Sequence, residues 1–174
     1  MTGGIVKHVI RFVLLILLQV WVLDRVPFDG FIIPYAYVMF ILLLPFDTNK
    51  SLMLVLAFGT GLVMDIFGNT LGLHAAALVL LAFARPGILR FYFPRLETQI
   101  GEEPGIAKLG LMGFIKFAFT LILLFQVALV FLEVFSFHHF PALLWQAVLG
   151  ALATTFAVTL LELLFARRKK KTRS

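Results

Sequence analysis

The sequence predicts an all-α integral membrane protein, a compact bundle of six transmembrane helices with both termini cytoplasmic. Composition comes first: of 174 residues, 61% are hydrophobic and only 14% charged. Ordinary soluble domains carry about 45–50% apolar and about 25% charged residues, and a chain this short could not bury such an excess from water. The second observation is continuity. Apolar runs such as residues 12–18 are unbroken, whereas barrel strands alternate apolar and polar residues. The third is the placement of positive charge, taken up after the spans.

A crossing helix needs about 20 apolar residues, so the chain has room for six or seven crossings and no separate soluble domain. Residues 1–166 are read as one six-helix transmembrane domain and residues 167–174 as a basic cytoplasmic tail. The spans are placed at 5–23, 30–44, 52–67, 71–84, 109–132 and 143–165. The first begins with Lys7 and Arg11, like a signal peptide, but no small-residue cleavage site follows, so an uncleaved helix is expected. Turn chemistry separates the next spans: Asp24 to Asp29 with Pro27, then Pro45 to Lys50, then Gly68-Asn69-Thr70. The third and fourth spans are short, reaching about 24 and 21 Å at a rise of 1.5 Å per residue, and must thin the bilayer, borrow flanking residues or shelter behind other helices. The fifth has length to tilt.

The 85–108 segment reads as the one long loop. It holds Pro86, Pro94 and Pro104, with Phe91-Tyr92-Phe93 between Arg90 and Arg95, a pattern of rings and arginines suited to the headgroup level or to a cytoplasmic partner.

With both ends inside, thirteen of the fifteen Lys and Arg fall on the cytoplasmic side, Arg85 among them. Only Arg25 falls outside, and Lys116 lies within the fifth span. That asymmetry satisfies the positive-inside rule, which five or seven spans would violate. It also removes nucleic acid as the explanation of the +6 charge, because Arg167, Arg168, Lys169, Lys170, Lys171 and Arg173 crowd the end of the chain. A basic tail after a membrane helix sets topology and meets anionic lipid.

Ionisable groups inside spans are functional candidates by default. Asp65 is foremost, on one stripe with Ala57, Gly61 and Gly68, where small residues admit a neighbouring backbone. His74 follows three residues into the fourth span, before Ala75-Ala76-Ala77. Asp65 and His74 are therefore expected at the same outer hairpin, either as a helix cap and interhelical bond or as a partner-binding site. Gln19, Gln126 and Gln146 fall in outer halves, lining an outward polar pocket or meeting backbone groups of neighbouring helices. Lys116 can snorkel, and Glu162 has Arg167 nearby. The sequence offers no nucleophile, no glycine-rich phosphate loop and no HExxH or GxSxG. His138-His139 stands alone, and cysteine is absent. No catalytic residue, cofactor or metal is expected.

In the stretch 61–75 the residues Gly61, Leu62, Asp65, Leu71, Gly72 and Ala75 resemble the signature of the rod shape-determining protein MreD family. The six-span hydropathy and basic tail fit along the whole chain. The resemblance implies a non-enzymatic inner-membrane component of the bacterial elongation complex that builds lateral peptidoglycan. It implies MreC as direct partner, beside MreB, RodA and its transpeptidase partner. Partner-binding residues would be Gly61, Asp65, Gly68, Leu71, Gly72, His74 and Ala75. The family's fold is similar to the S components of energy-coupling-factor transporters. The alternative function is accordingly a small-molecule-binding subunit of such a transporter, although the first span lacks the A-x-x-x-A contact of those proteins.

Overall fold

The computed structural model describes residues 2–21, 34–134 and 140–171, with side chains described over 6, 8–21, 34–133 and 144–165. Seven helices and no strand occur among the described residues: α1 (Thr2–Trp21), α2 (Val38–Leu42), α3 (Lys50–Gly68), α4 (Leu73–Tyr92), α5 (Ile106–Leu109), α6 (Leu111–Val134) and α7 (Phe140–Lys171). Four of them, α3, α4, α6 and α7, are long and apolar enough to cross a membrane, and α1 contains a shorter apolar stretch, His8–Trp21. The chain is a helical, multi-pass membrane protein by this measure.

The long helices pack as an antiparallel series, α3 on α4, α4 on α6 and α6 on α7. Two local devices start and stop the α3–α4 hairpin. Asn49 caps α3 by accepting the Ser51 N–H at 3.0 Å. At the other end Asn69 takes the left-handed conformation, φ 53°, and Gly72 does the same at φ 83°. The chain turns from one helix to the other in four residues, 69–72. Asparagine and glycine are the residues that accept this conformation at least cost.

Helices α3 and α4 run to 19 and 20 residues, about 28 and 30 Å, so they borrow flanking residues and their bounds shift from the expected 52–67 and 71–84. Each is long and apolar enough to cross a membrane. The correction for α4 is large, because the helix runs on through Arg85 and Pro86. A proline forfeits one helical hydrogen bond, and membrane helices tolerate it where neighbours re-satisfy the backbone. The long loop therefore begins at Phe93, and Arg85 belongs to a span instead of a cytoplasmic loop.

The expected 30–44 span also differs. Over its described part only Val38–Leu42 is helical, with Tyr35, Ala36 and Tyr37 irregular before it. Residues 36–44 are buried throughout and form the centre of the apolar core. Around them lie Leu15 of α1, Leu78 and Leu81 of α4, Phe114, Phe117, Leu121 and Phe125 of α6, and Ala151 and Val158 of α7. Irregular backbone at membrane depth survives only where protein encloses it, and this enclosure is complete.

Helix α7 continues to Lys171, so the expected tail begins as helix. The side chains of Arg167, Arg168, Lys169, Lys170 and Lys171 lie outside the described set, and Arg173, the turn at 24–29 and His138-His139 lie outside the described residues.

Candidate functional site

The residues singled out at 61–75 converge on one carboxylate. Asp65 projects from the last turn of α3 and is 4% exposed. Its Oδ1 accepts the His74 backbone N–H at 3.1 Å, the His74 Nδ1–H at 3.1 Å and the Thr70 hydroxyl. Its Oδ2 accepts the Ala75 N–H at 3.0 Å. His74 and Ala75 are the second and third residues of α4, whose N-cap Gly72 has no side chain to offer. Asp65 thus supplies from α3 the cap that α4 lacks. A carboxylate at this place also meets the positive end of the α4 dipole.

Gly61, one turn below, explains how α4 comes so close. A Cβ built there would lie 2.8 Å from the His74 carbonyl carbon and nearer still to the Ala75 backbone. Only glycine permits that approach. A bulkier residue at Ala75, itself buried, would push the two helices apart. Gly72 serves through its positive φ. Gly68 is exposed, with only the Thr70 side chain near its Cβ position, and Leu71 is 99% exposed. Gly61, Asp65, Gly72, His74 and Ala75 are therefore one fastening, while Gly68 and Leu71 lie on its outer surface. Leu71, Ile66, Phe67 and Leu62 form an exposed apolar margin along the hairpin.

His74 joins this fastening to the core. Its Nδ1 faces Asp65, and its ring packs edge-on against Tyr35 at 5.6 Å and Tyr37 at 6.2 Å. Both tyrosines in turn contact Phe125 of α6. The hairpin is thereby tied to the irregular segment ahead of α2.

That segment accounts for four more of the buried polar residues, Gln19, Arg85, Gln126 and Thr154. Gln19 of α1 accepts the Ala36 N–H through Oε1 at 2.8 Å. Thr154 of α7 accepts the Tyr35 N–H at 3.1 Å, and Gln126 of α6 donates to Thr154 at 3.4 Å. At the other end Arg85 donates to the carbonyls of Leu42 and Leu44 and reaches Met53 Sδ at 3.4 Å. A five-residue helix leaves most of its N–H and C=O groups without helical partners, and in lipid each unmet group costs several kcal/mol. The first N–H groups of α2 turn back to the Tyr35, Ala36 and Tyr37 carbonyls, while Gln19 and Thr154 meet the Ala36 and Tyr35 N–H groups ahead of it and Arg85 meets the Leu42 and Leu44 carbonyls at its end. Gln126 also lies against Gly150, where a Cβ would sit 2.8 Å from its Nε2. Gln19 and Gln126 are both buried and turned inward, and Gln146 is partly buried. Thr154 and Arg85 escaped the sequence reading. A hydroxyl in an apolar span and a guanidinium before Pro86 are the only signals that mark them.

The opposite end of the bundle is closed by residues 93–110. Glu103 pairs with Arg11 of α1 at 3.1 Å, both nearly buried, with His8 at 3.9 Å. Asp47 accepts the Gly101 N–H at 2.9 Å, and the Glu102 carbonyl accepts the Phe46 N–H at 2.9 Å. Glu102 bonds Lys108 at 2.6 Å. That bond and the Gln99 N–H hold its carboxyl below the ordinary glutamate range. Glu162, buried on α7, lies against Gly105; the side chain of its expected neighbour Arg167 lies outside the described set. Lys116 is exposed on α6. No group of three acidic or histidine side chains among the described residues could hold a metal ion.

Compared with known proteins, the chain matches no family model, no curated protein and no solved structure.

Proposed function

We propose that the chain is a non-enzymatic scaffold of the bacterial cell-elongation complex. In this reading it crosses the inner membrane six times, counting the 30–44 segment, with both termini cytoplasmic. It binds MreC and helps position peptidoglycan synthesis beside MreB, RodA and its transpeptidase partner. The observation that carries the proposal is the union of the family-like residues: Gly61, Asp65, Gly72 and Ala75 act as one built hairpin. Four of the six family-like residues between 61 and 75 share one structural reason here.

Asp65 has its oxygens committed inside the hairpin, so the docking surface is the exposed margin of Leu62, Ile66, Phe67 and Leu71. Asp65 and Gly61 shape that margin without touching the partner. Gln19 and Gln126 are spent on the fold, which weighs against the transporter alternative.

The test is co-purification from native membranes. Wild-type protein should recover MreC, and a variant combining Ile66→Ser and Leu71→Ser should recover at least tenfold less while inserting and melting normally. Failure of wild type to recover MreC refutes the proposal. Full recovery by the variant moves the docking surface away from the hairpin.

A further inference from the structure

The closed end of the bundle carries an imbalance of charge. Three of its carboxylates are consumed within the fold, Glu103 by Arg11 and His8, Glu102 by Lys108, and Asp47 by the Gly101 N–H, while Glu97 is exposed. Arg90 in the last turn of α4, Arg95 just beyond it and Lys116 in the second turn of α6 are all exposed. None of these three cations has an ion pair among the described residues.

Lys116 has a defined seat. Gly113, Lys116 and Thr120 fall on one stripe of α6. The Phe93 ring abuts Gly113, where a Cβ would sit 3.0 Å from its Cζ, and the Tyr92 hydroxyl meets Thr120 Oγ1 at 3.0 Å. Lys116 therefore emerges beside the seam between α4 and α6, flanked by the rings of Tyr92 and Phe93. Thr120 Oγ1 also donates to the Lys116 carbonyl at 2.9 Å. The tyrosine proton is thus spent on Thr120, and any anion here must be held by the cations. At the adjoining ends of α4 and α6, Phe91, Leu111 and Met112 are exposed, Phe91 by 80%. Apolar surface for acyl chains and positive charge for a headgroup thus occur at the same end of these two helices.

We propose that the α4–α6 seam at this end is a binding site for an anionic phospholipid. Lys116, Arg90 and Arg95 take the headgroup phosphate, and Phe91, Leu111 and Met112 take the acyl chains. Basic clusters between membrane helices are suited to anionic headgroups, and rings at the interface anchor the same level. The site is independent of MreC and stands whether or not the hairpin docks a partner.

Native mass spectrometry of the full chain in lipid nanodiscs of phosphatidylcholine with phosphatidylglycerol tests it. Wild type should retain one phosphatidylglycerol in preference to phosphatidylcholine. A variant combining Arg90→Gln, Arg95→Gln and Lys116→Gln should lower that preference tenfold or more, since each basic residue near an anionic surface contributes about fivefold. Neutralising Arg167, Arg168, Lys169, Lys170, Lys171 and Arg173 instead should leave the single retained lipid in place. Circular dichroism of each variant checks the fold. Absence of a preference in wild type, an unchanged preference in the seam variant, or loss only in the tail variant overturns the proposal.

Discussion

Replacing Asp65 by alanine removes the acceptor of two α4 backbone N–H groups, of the Thr70 hydroxyl and of His74 Nδ1. Loss of an N-cap side chain alone costs about 0.5–2 kcal/mol. A carboxylate in a partly buried place at a helix N-terminus adds up to about 2 kcal/mol through the dipole. Because Asp65 is 4% exposed, water cannot readily replace it, and the orphaned donors carry their desolvation cost. The sum expected for Asp65→Ala is about 3 kcal/mol, roughly a hundredfold in the opening equilibrium of the first α4 turn. Asp65→Asn should lose about half of that, since its amide oxygen still accepts while its NH2 opposes a donor. Hydrogen exchange of the His74 and Ala75 amides in detergent measures the local opening, and the melting temperature measures the global effect. Equal exchange in wild type and Asp65→Ala would refute the cap. So would loss of MreC recovery with exchange and melting both unchanged, because Asp65 would then face the partner and not α4.

Three further outcomes check the packing. Gly61→Ala should destabilise by about 1–3 kcal/mol through overpacking against the Ala75 backbone, whereas Gly59→Ala, with open space at its Cβ, should be neutral or gain up to about 1 kcal/mol from helix propensity; melting temperatures separate them. Arg85→Met should cost about 3 kcal/mol or more by stranding the Leu42 and Leu44 carbonyls, with Arg85→Lys restoring part, read as detergent stability of the purified chain. Glu102 has a carboxyl pKa lowered by folding, so its contribution is present above the ordinary glutamate range and is lost as pH falls through the lowered value. Limited proteolysis of residues 93–105 should accelerate below about pH 4 and already at neutral pH in Lys108→Gln.

Much of the helical plan was legible because hydropathy and turn chemistry are local. The runs that became α1 and α6 end within a few residues of where apolar continuity places them, whereas α7 runs on past 165 to Lys171. The Asn69 and Gly72 turn was visible as Gly68-Asn69-Thr70, and Asp65 was visible because a carboxylate in a span is rare. The juncture at Arg85 and Pro86 misled for the opposite reason: both residues locally signal a helix end, and only the carbonyls of Leu42 and Leu44, more than 40 residues away in sequence, give the guanidinium a reason to stay inside.

The sequence by itself determined that this chain belongs in lipid, how its apolar length divides, and which few polar residues must have partners. It could not say which partners, because an apolar run such as 34–44 reads alike as a spanning helix and as a buried broken segment. Tertiary structure decided that question. The backbone groups of that segment are met by Gln19, Thr154 and Arg85 from three helices, and Asp65 caps α4 from α3. In a medium without water, hydrogen bonds that local structure leaves open must be closed by distant side chains, so the polar residues of the spans became legible only once the helices were packed.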